Sequence, residues 1–167
     1  MPSISSVRAL RIAAALTAAL AMAACSKTPD PNAAGGLGGV GGAGTAVPGS
    51  QQDFVVNVGD RVFFETDSTD LTQQAQATLD NQSRWLAQYP RYSITIEGHA
   101  DERGTREYNF ALGARRAEVT KNYLIARGVP GQRIRTISFG KERPVAVCND
   151  ISCWSQNRRA VTLLGGG

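Results

Sequence analysis

Apolar residues recur with two different periods between positions 52 and 164, and this alternation predicts a domain of strands and helices. From 72 to 88 the apolar positions are spaced by four and three residues, as on one face of an amphipathic helix. That predicted inner face comprises Ala75, Leu79, Gln82, Leu86 and Tyr89. Pro90 is expected to end the helix, because proline lacks the amide N–H that another turn requires. Residues 93–97 alternate between apolar and polar side chains, which predicts a strand with one buried face.

A second helix is predicted to begin after Thr105 and to end near residue 127. The Thr105 hydroxyl suits an N-cap, because it can accept hydrogen bonds from the first free backbone N–H groups of the helix. Gly128 suits the end, because glycine readily adopts the left-handed conformation found just after many helices. The predicted apolar face comprises Tyr108, Leu112, Val119 and Tyr123. Arg116 lies on this same face, between Leu112 and Val119.

Strands are predicted on both sides of the two helices. Residues 53–56 and 61–64 are predicted to form two strand pieces around a Gly-Asp turn, and residues 134–139 and 159–164 two later strands. The resulting order is strand–helix–strand–helix–strand–strand. Strands joined by a helix are expected to run parallel, as neighbours or near neighbours, through right-handed crossovers. The sequence therefore predicts an α/β fold, an α+β sandwich with two helices packed on one face of a small mixed sheet.

Residues 1–51 differ from this domain in composition and divide into two segments. Residues 1–24 carry two arginines and then an apolar run too short to span a bilayer, which is typical of a signal peptide. Residues 25–51 begin with Cys25 and are rich in Gly, Ala and Pro. A segment of this kind buries too little surface to fold and spans roughly 25–30 Å as a flexible tether. Two alternatives stay open: an ordinary secretory signal with an incidental Cys25, and a tail without a tether function.

The charge balance and the motifs narrow the function classes. The 18 basic and 14 acidic residues give a net charge of only +4, so nucleic-acid binding is not expected. A Ser-His-Asp or Cys-His catalytic arrangement would need the single histidine, His99, and the Gly-rich segment lacks the Gly-Lys-Ser/Thr ending of a phosphate loop. Loop carboxylates at Asp67, Asp70, Asp101 and Glu102 leave a glycoside hydrolase as an alternative. We expect a non-enzymatic protein without a cofactor.

The cysteine pair Cys148 and Cys153 encloses a short polar segment. An exported chain permits a disulfide between them, and closing so small a loop stabilises the fold by about 2 kcal/mol through chain entropy. A metal site is the rival interpretation, but two thiols and one distant histidine fall short of the ligand set of a structural zinc site. We therefore predict a disulfide and no metal.

Arg116 needs a partner, because burying an unpaired charge on an apolar helix face is costly. The nearest acids are Asp101 and Glu102, in the loop that precedes the second helix. Two interpretations are open. Asp101 and Arg116 form an internal salt bridge that fixes the loop, or they bind a zwitterion, with the carboxylate taking an ammonium and the guanidinium taking a carboxylate.

Several short strings in this domain resemble those of a known family at the same spacing. They are GHADERGT at 98–105, YN at 108–109, LG at 112–113, RRA at 115–117, SFGKERP at 138–144 and NRR at 157–159. On these strings the domain is identified as a member of the OmpA-like C-terminal domain family. The layout of the whole chain is similar to that of the peptidoglycan-associated lipoproteins (Pal) within that family.

The resemblance implies a ligand and a set of residues that bind it. Asp101 and Arg116 match the acid and the arginine that grip the diaminopimelate of the peptidoglycan stem peptide in that family. Asp101 would meet the ammonium group, and Arg116 the carboxylate. The resemblance further implies that Asn109 and Leu112 shape the pocket wall and that Asp67 lies near the ligand.

The resemblance also implies a location and partners. The Met-Ala-Ala before Cys25 resembles a lipobox, which implies a lipid on Cys25 and an anchor in the outer membrane, facing the periplasm. The domain would then link that membrane to peptidoglycan, with TolB and the other Tol–Pal proteins as partners in envelope integrity and cell division. His99 is expected to orient the loop rather than to catalyse. The alternative is an envelope protein-interaction hub in which Asp101–Arg116 is an internal salt bridge.

Overall fold

The computed structural model describes residues 46–166. The expectations for the signal segment, for Cys25 and for the tether up to residue 45 lie outside the described residues. In chain order the elements are α1 (Gln51–Asp53), a π-helical turn (Phe54–Val58), β1 (Arg61–Phe63), α2 (Gln73–Gln88), β2 (Ser93–His99), α3 (Arg106–Ala126), a 3₁₀ turn (Gly131–Arg133), β3 (Ile134–Gly140), α4 (Ile151–Asn157) and β4 (Arg159–Gly165).

The strands form one mixed sheet in the order β1-β4-β2-β3. Strand β2 pairs parallel with β3, whereas β4 is antiparallel to both β1 and β2. Since β4 lies between them, β1 and β2 run in the same direction without being hydrogen-bonded neighbours. The predicted α/β fold, with helix-linked strands in parallel and two long helices against a small mixed sheet, is confirmed. The core between helices and sheet includes Leu79, Leu86, Ile94, Ile96, Ala117, Leu124, Ile134 and Ala160.

Helix α2 forms where the sequence pattern placed it. The Thr72 hydroxyl accepts from the Ala75 N–H and caps the first turn. Gln82, the polar residue on the inner face, is fully buried and is satisfied on both sides. Its amide nitrogen donates to the Gly59 carbonyl at 2.7 Å, and its amide oxygen accepts from the Thr162 hydroxyl at 2.9 Å. Gln82 therefore ties the helix to the turn before β1 and to β4.

The predicted strand at 53–56 is wrong, because this segment is helical. The Ser50 hydroxyl accepts from the Asp53 N–H and caps a short helix that continues as the π-helical turn. Phe54 is buried, whereas Val55 and Val56 are both exposed, so the burial does not alternate as it does in a strand. The β-branched valines suggested a strand from composition, but the local cap determines the conformation.

The domain begins before residue 52, since the residues around Gly49 pack against it. The Gly49 carbonyl accepts from the Arg91 guanidinium and from the Tyr92 hydroxyl, both at 2.9 Å. The Asp53 carboxylate accepts from the Gly49 N–H and from the Trp85 indole, both at 2.8 Å. The sequence had placed residues up to 51 in the tether.

A helix between β3 and β4 was not predicted. Helix α4 is capped by Asp150, whose carboxylate accepts from the Ser152 N–H. It spans only two turns and its buried residues are Cys153 and Asn157, so it carries too little apolar periodicity for recognition. The predicted disulfide between Cys148 and Cys153 is confirmed and closes the loop into this helix.

Between residues 46 and 166, no helix has both the length and the apolar character needed to cross a membrane.

Candidate functional site

A cleft of about 180 Å³ opens between the turn after β1 and the loop after β2. Its lining comprises Asp67, Asp101, Arg103, Gly104 and Tyr108. The loop leaves the end of β2 and enters α3 at Thr105, whose hydroxyl accepts from the Tyr108 N–H as predicted. Two acids from separate segments, Asp67 and Asp101, thus face one cleft beside the start of a helix.

A larger groove of about 640 Å³ lies between β1, α2 and α4. Its lining includes Arg158, which donates to Asp101, but neither Asp67 nor Asp101 belongs to that lining. The smaller cleft is the candidate site considered below, because it is the one that Asp67 and Asp101 line.

Asp101 is 7% exposed and accepts four hydrogen bonds. Its Oδ1 accepts from the backbone N–H and the Nε of Arg103, at 3.2 and 3.1 Å. Its Oδ2 accepts from Arg103 Nη2 at 2.7 Å and from Arg158 Nη1 at 3.4 Å. Burial works to raise the pKa of Asp101, but the hydrogen bonds and charge of Arg103, with a further hydrogen bond from Arg158, hold it below its ordinary value. Asp101 is therefore a buried, ionised carboxylate at neutral pH.

Arg116 is fully buried and binds backbone rather than an acid. Its Nε donates to the Ser68 carbonyl at 3.0 Å, its Nη1 to the His99 carbonyl at 2.9 Å and its Nη2 to the Glu65 carbonyl at 3.1 Å. The guanidinium also lies 5.1 Å from the centre of the Phe64 ring. Arg116 thus fixes the turn after β1 against the loop after β2.

The salt bridge between Asp101 and Arg116, one of the two interpretations left open by the sequence, is not formed. Within residues 46–166 the ion-pair partners of Asp101 are Arg103 and Arg158, and Arg116 has no carboxylate within 4.0 Å. Carbonyl oxygens satisfy the buried cation instead, which a pattern of charged residues cannot reveal. The interpretation of Asp101–Arg116 as an internal bridge is therefore wrong in its choice of partner.

Arg116 still contributes positive charge next to the cleft acids. Burial, followed by the nearby charge of Arg158, lowers the pKa of Arg116 to about 10, while Asp101 and Asp67 act in the opposite direction. Arg116 therefore remains protonated at neutral pH. A guanidinium has five N–H groups, and Arg116 donates three hydrogen bonds within the described residues.

The other predicted site residues take different positions. Asp67 lines the cleft, has a positive φ of 54°, and its carboxylate accepts from the Tyr108 hydroxyl at 3.4 Å. Asn109 is buried, and its side-chain amide donates to the Arg103 carbonyl at 2.6 Å. This hydrogen bond holds the loop after β2 against helix α3. Leu112 is buried one turn further along α3 and is not part of the cleft lining.

Arg103 and Trp154 are the residues that the sequence prediction missed. The Arg103 guanidinium lies 4.2 Å from the centre of the Trp154 indole, so a cation–π contact adds to its two side-chain bonds with Asp101. The Trp154 indole N–H in turn donates to the Glu102 carboxylate. The spacing Asp-x-Arg in the loop was a signal for the first contact, whereas Trp154 lies on the helix that was not predicted.

The ring nitrogens of His99 make no hydrogen bond within the described residues, and its expected role in orienting the loop stays a prediction. Its side chain is buried, its ring stacks on Phe139, and its Nε2 is 3.5 Å from a Glu97 oxygen. Burial and the charges of Arg159 and Arg143 lower its pKa to about 4, so the imidazole is neutral at pH 7. No group of three or more His, Cys, Asp or Glu side chains suited to a metal occurs in the described part of the chain.

Comparison with known proteins identifies relatives of this chain. The model of the OmpA family matches residues 63–158. A peptidoglycan-associated lipoprotein of Rhizobium meliloti (strain 1021) is 70% identical over 153 residues, which cover 91% of this chain and 86% of the relative. One from Brucella abortus biovar 1 (strain 9-941) is 62% identical over 167 residues, covering 99% of this chain and 98% of the relative.

Solved structures share the fold. The crystal structure of the peptidoglycan-associated lipoprotein from Burkholderia pseudomallei aligns with a TM-score of 0.65 and 38% identity, covering 68% of this chain and 98% of that one. The C-terminal domain of Helicobacter pylori MotB aligns with a TM-score of 0.59 at 22% identity, covering 65% of this chain and 85% of that one. The second likeness concerns the fold alone.

Proposed function

This chain belongs to the OmpA family, and from that membership we propose that it is an outer-membrane lipoprotein that binds peptidoglycan without a covalent bond. Relatives that are 60–70% identical over about nine-tenths of the chain carry the name peptidoglycan-associated lipoprotein. The OmpA match covers the segment that builds the cleft, from the turn after β1 to Arg158. The function is that of a tether between membrane and wall, not of an enzyme.

The ligand group in this proposal is the diaminopimelate of the peptidoglycan stem peptide. Its free end is a zwitterion, with an ammonium and a carboxylate on one carbon. Asp101 receives the ammonium and Arg116 supplies positive charge for the carboxylate, while Asp67 adds a second acid at the rim. The observation that supports this assignment best is Asp101 itself, a buried and ionised carboxylate that lines an open cleft, because such a carboxylate can form a charge-assisted hydrogen bond with a ligand ammonium.

The rest of the chain serves this role by placing the domain. Residues 1–24 direct export, and Cys25 receives the lipid that holds the chain in the outer membrane, facing the periplasm. Residues from 25 to about 45 form the tether, which gives the domain reach toward the wall. TolB and the other Tol–Pal proteins are proposed partners in envelope integrity and cell division.

Sedimentation with purified peptidoglycan tests the proposal. We expect the wild-type protein to sediment with the wall and free diaminopimelate to release it. Asp101→Asn should weaken binding by about 2–5 kcal/mol, because the ligand cation loses its buried partner. Asp70→Asn is a matched control, since Asp70 is an exposed acid in the turn after β1 and does not line the cleft.

The opposite result would favour the alternative function, a protein-interaction hub in the envelope. If Asp101→Asn sediments as the wild type does, and diaminopimelate has no effect, Asp101 is a scaffold for Arg103 and Arg158. Protein partners would then be the main ligands of this surface.

A further inference from the structure

Arg103 is the group in the cleft that the proposed function leaves without a role. It reaches Asp101 from only two residues away, yet it makes three hydrogen bonds to it, one from the backbone and two from the guanidinium. Its side chain is 41% exposed and lines the cleft, so it stands between Asp101 and solvent. Any ligand that reaches Asp101 from the cleft has to meet this guanidinium.

The acceptor capacity of Asp101 is already filled. A carboxylate offers about four lone-pair sites on its two oxygens. In this structure Oδ1 accepts two hydrogen bonds from Arg103, and Oδ2 accepts one from Arg103 and one from Arg158. Arg158 is buried and also donates to the Phe64 carbonyl at 3.0 Å, so it is fixed in place. The Arg103 side chain is the solvent-exposed partner of Asp101, at 41% against 5% for Arg158.

The Arg103 guanidinium has a second set of neighbours beside Asp101. The guanidinium already lies over the Trp154 indole, and the Glu102 carboxylate is bound to the N–H of that same ring. Helix α4 holds Trp154, and the Cys148–Cys153 disulfide closes the loop into that helix. Arg103 can therefore release Asp101 while keeping its stacking contact and gaining an acid neighbour.

We propose that Arg103 determines the specificity of the cleft by occupying the ammonium position on Asp101, so that a ligand cation binds only by displacing it. This inference rests on the proposed function, because it assumes that Asp101 receives a ligand ammonium. An amine without a carboxylate makes a single contact with Asp101, and to do so it has to displace the two hydrogen bonds from the Arg103 guanidinium. A zwitterion offers its carboxylate to the released Arg103 or to Arg116 at the same time. Competition from Arg103 for Asp101 thus favours the binding of zwitterions over the binding of simple amines.

Calorimetric titration of free diaminopimelate into the full chain in detergent tests this inference. Arg103→Gln should bind diaminopimelate roughly fivefold more tightly than the wild type, because the competing cation is removed. The affinity of the same variant for cadaverine, a diamine without carboxylates, should increase by at least the same factor. Arg103→Lys keeps a cation but loses the two-pronged bond, so its affinity for diaminopimelate should rise less than that of Arg103→Gln. Arg106→Gln is the matched control, since Arg106 is exposed, pairs with Glu142 at 3.0 Å and does not line the cleft.

The outcomes separate the inference from the proposed function. Weaker binding by Arg103→Gln would make Arg103 a ligand contact, and unchanged binding would make it a bystander; either overturns the inference while the wild type still binds. The inference also fails if the affinity for diaminopimelate rises as much in Arg103→Lys as in Arg103→Gln. If neither the wild type nor Arg103→Gln binds diaminopimelate, the proposed function fails and the inference with it. Thermal unfolding of each variant confirms that it is folded.

Discussion

The backbone of Gly98 at the end of β2 lies directly against the backbone of Gly113 in α3. A Cβ built on Gly98 would stand 1.8 Å from the Gly113 carbonyl oxygen, and one built on Gly113 would stand 2.5 Å from the Ser138 hydroxyl. Only glycine at both positions allows the helix to approach the strand so closely. This approach brings Arg116, one turn beyond Gly113, within hydrogen-bond distance of the His99 carbonyl.

Gly98→Ala should therefore destabilise the fold by about 3 kcal/mol, since the added methyl group forces helix and strand apart. Diaminopimelate affinity should fall too, because the Arg116–His99 contact lengthens. Urea unfolding measures the first effect and calorimetry the second. Gly131→Ala is the control: the nearest atom to its Cβ is the flexible end of Ile125, at 3.3 Å, so near-wild-type stability is expected. Equal stability of the two variants would contradict the account of the close approach.

Arg116→Leu should cost about 3 kcal/mol of folding free energy even without a ligand. The buried guanidinium bonds to three carbonyls from two segments, and its loss leaves those acceptors without a donor. Denaturant unfolding measures the effect. Arg115→Leu, which removes an exposed arginine at the neighbouring position, should stay close to the wild type. A stable Arg116→Leu that loses only ligand binding would show that Arg116 is a pure ligand group.

Replacing both Cys148 and Cys153 by Ser should lower the free energy of unfolding by about 2 kcal/mol, as expected for a loop this small. The wild type should lose a similar amount in a reducing agent, whereas the double variant should not respond to it. Urea unfolding with and without reductant distinguishes these cases. Identical midpoints for oxidised and reduced wild type would mean that helix α4 holds its place without the bridge.

The single imidazole, His99, should stay neutral down to a pH of about 4, because burial and the charges of Arg159 and Arg143 lower its pKa. The unfolded chain protonates near pH 6.5, so this stabilisation is complete above that pH and is lost as the pH falls towards 4, by about 3 kcal/mol at most. An NMR titration of the imidazole measures the pKa in the folded state. Arg143→Gln should raise it. Titration of the wild type near pH 6.5 would contradict the burial of His99.

The parts of the fold that the sequence predicted are those set by local signals. Thr105 caps the second long helix as predicted, because a hydroxyl cap acts within one turn, and the inner face of α2 follows from its apolar spacing. The π-helical turn at Phe54–Val58 was mistaken for a strand because Val55 and Val56 have β-branched side chains, although both are exposed. Helix α4 is too short for its periodicity to be visible.

The candidate site was predicted only in part, for a physical reason. Asp67 and Asp101 line one cleft in the structure, and their role as ligand groups stays a prediction. The partners of Arg116 were not predicted, because the carbonyls of Glu65, Ser68 and His99 are groups that every residue carries. Side-chain chemistry in a sequence predicts which charges need partners. It does not predict when backbone supplies them.

Calorimetric titration with two stem peptides tests the central claim, recognition of a zwitterion, most directly. One peptide ends in diaminopimelate and the other in lysine, which has the same ammonium but lacks the second carboxylate. The account predicts measurable binding of the diaminopimelate peptide and at least tenfold weaker binding of the lysine peptide, by the loss of one charge-assisted contact of about 1.5–3 kcal/mol. Asp101→Asn should weaken the binding of both peptides, because both carry the ammonium. Equal affinities of the wild type for both peptides would contradict it.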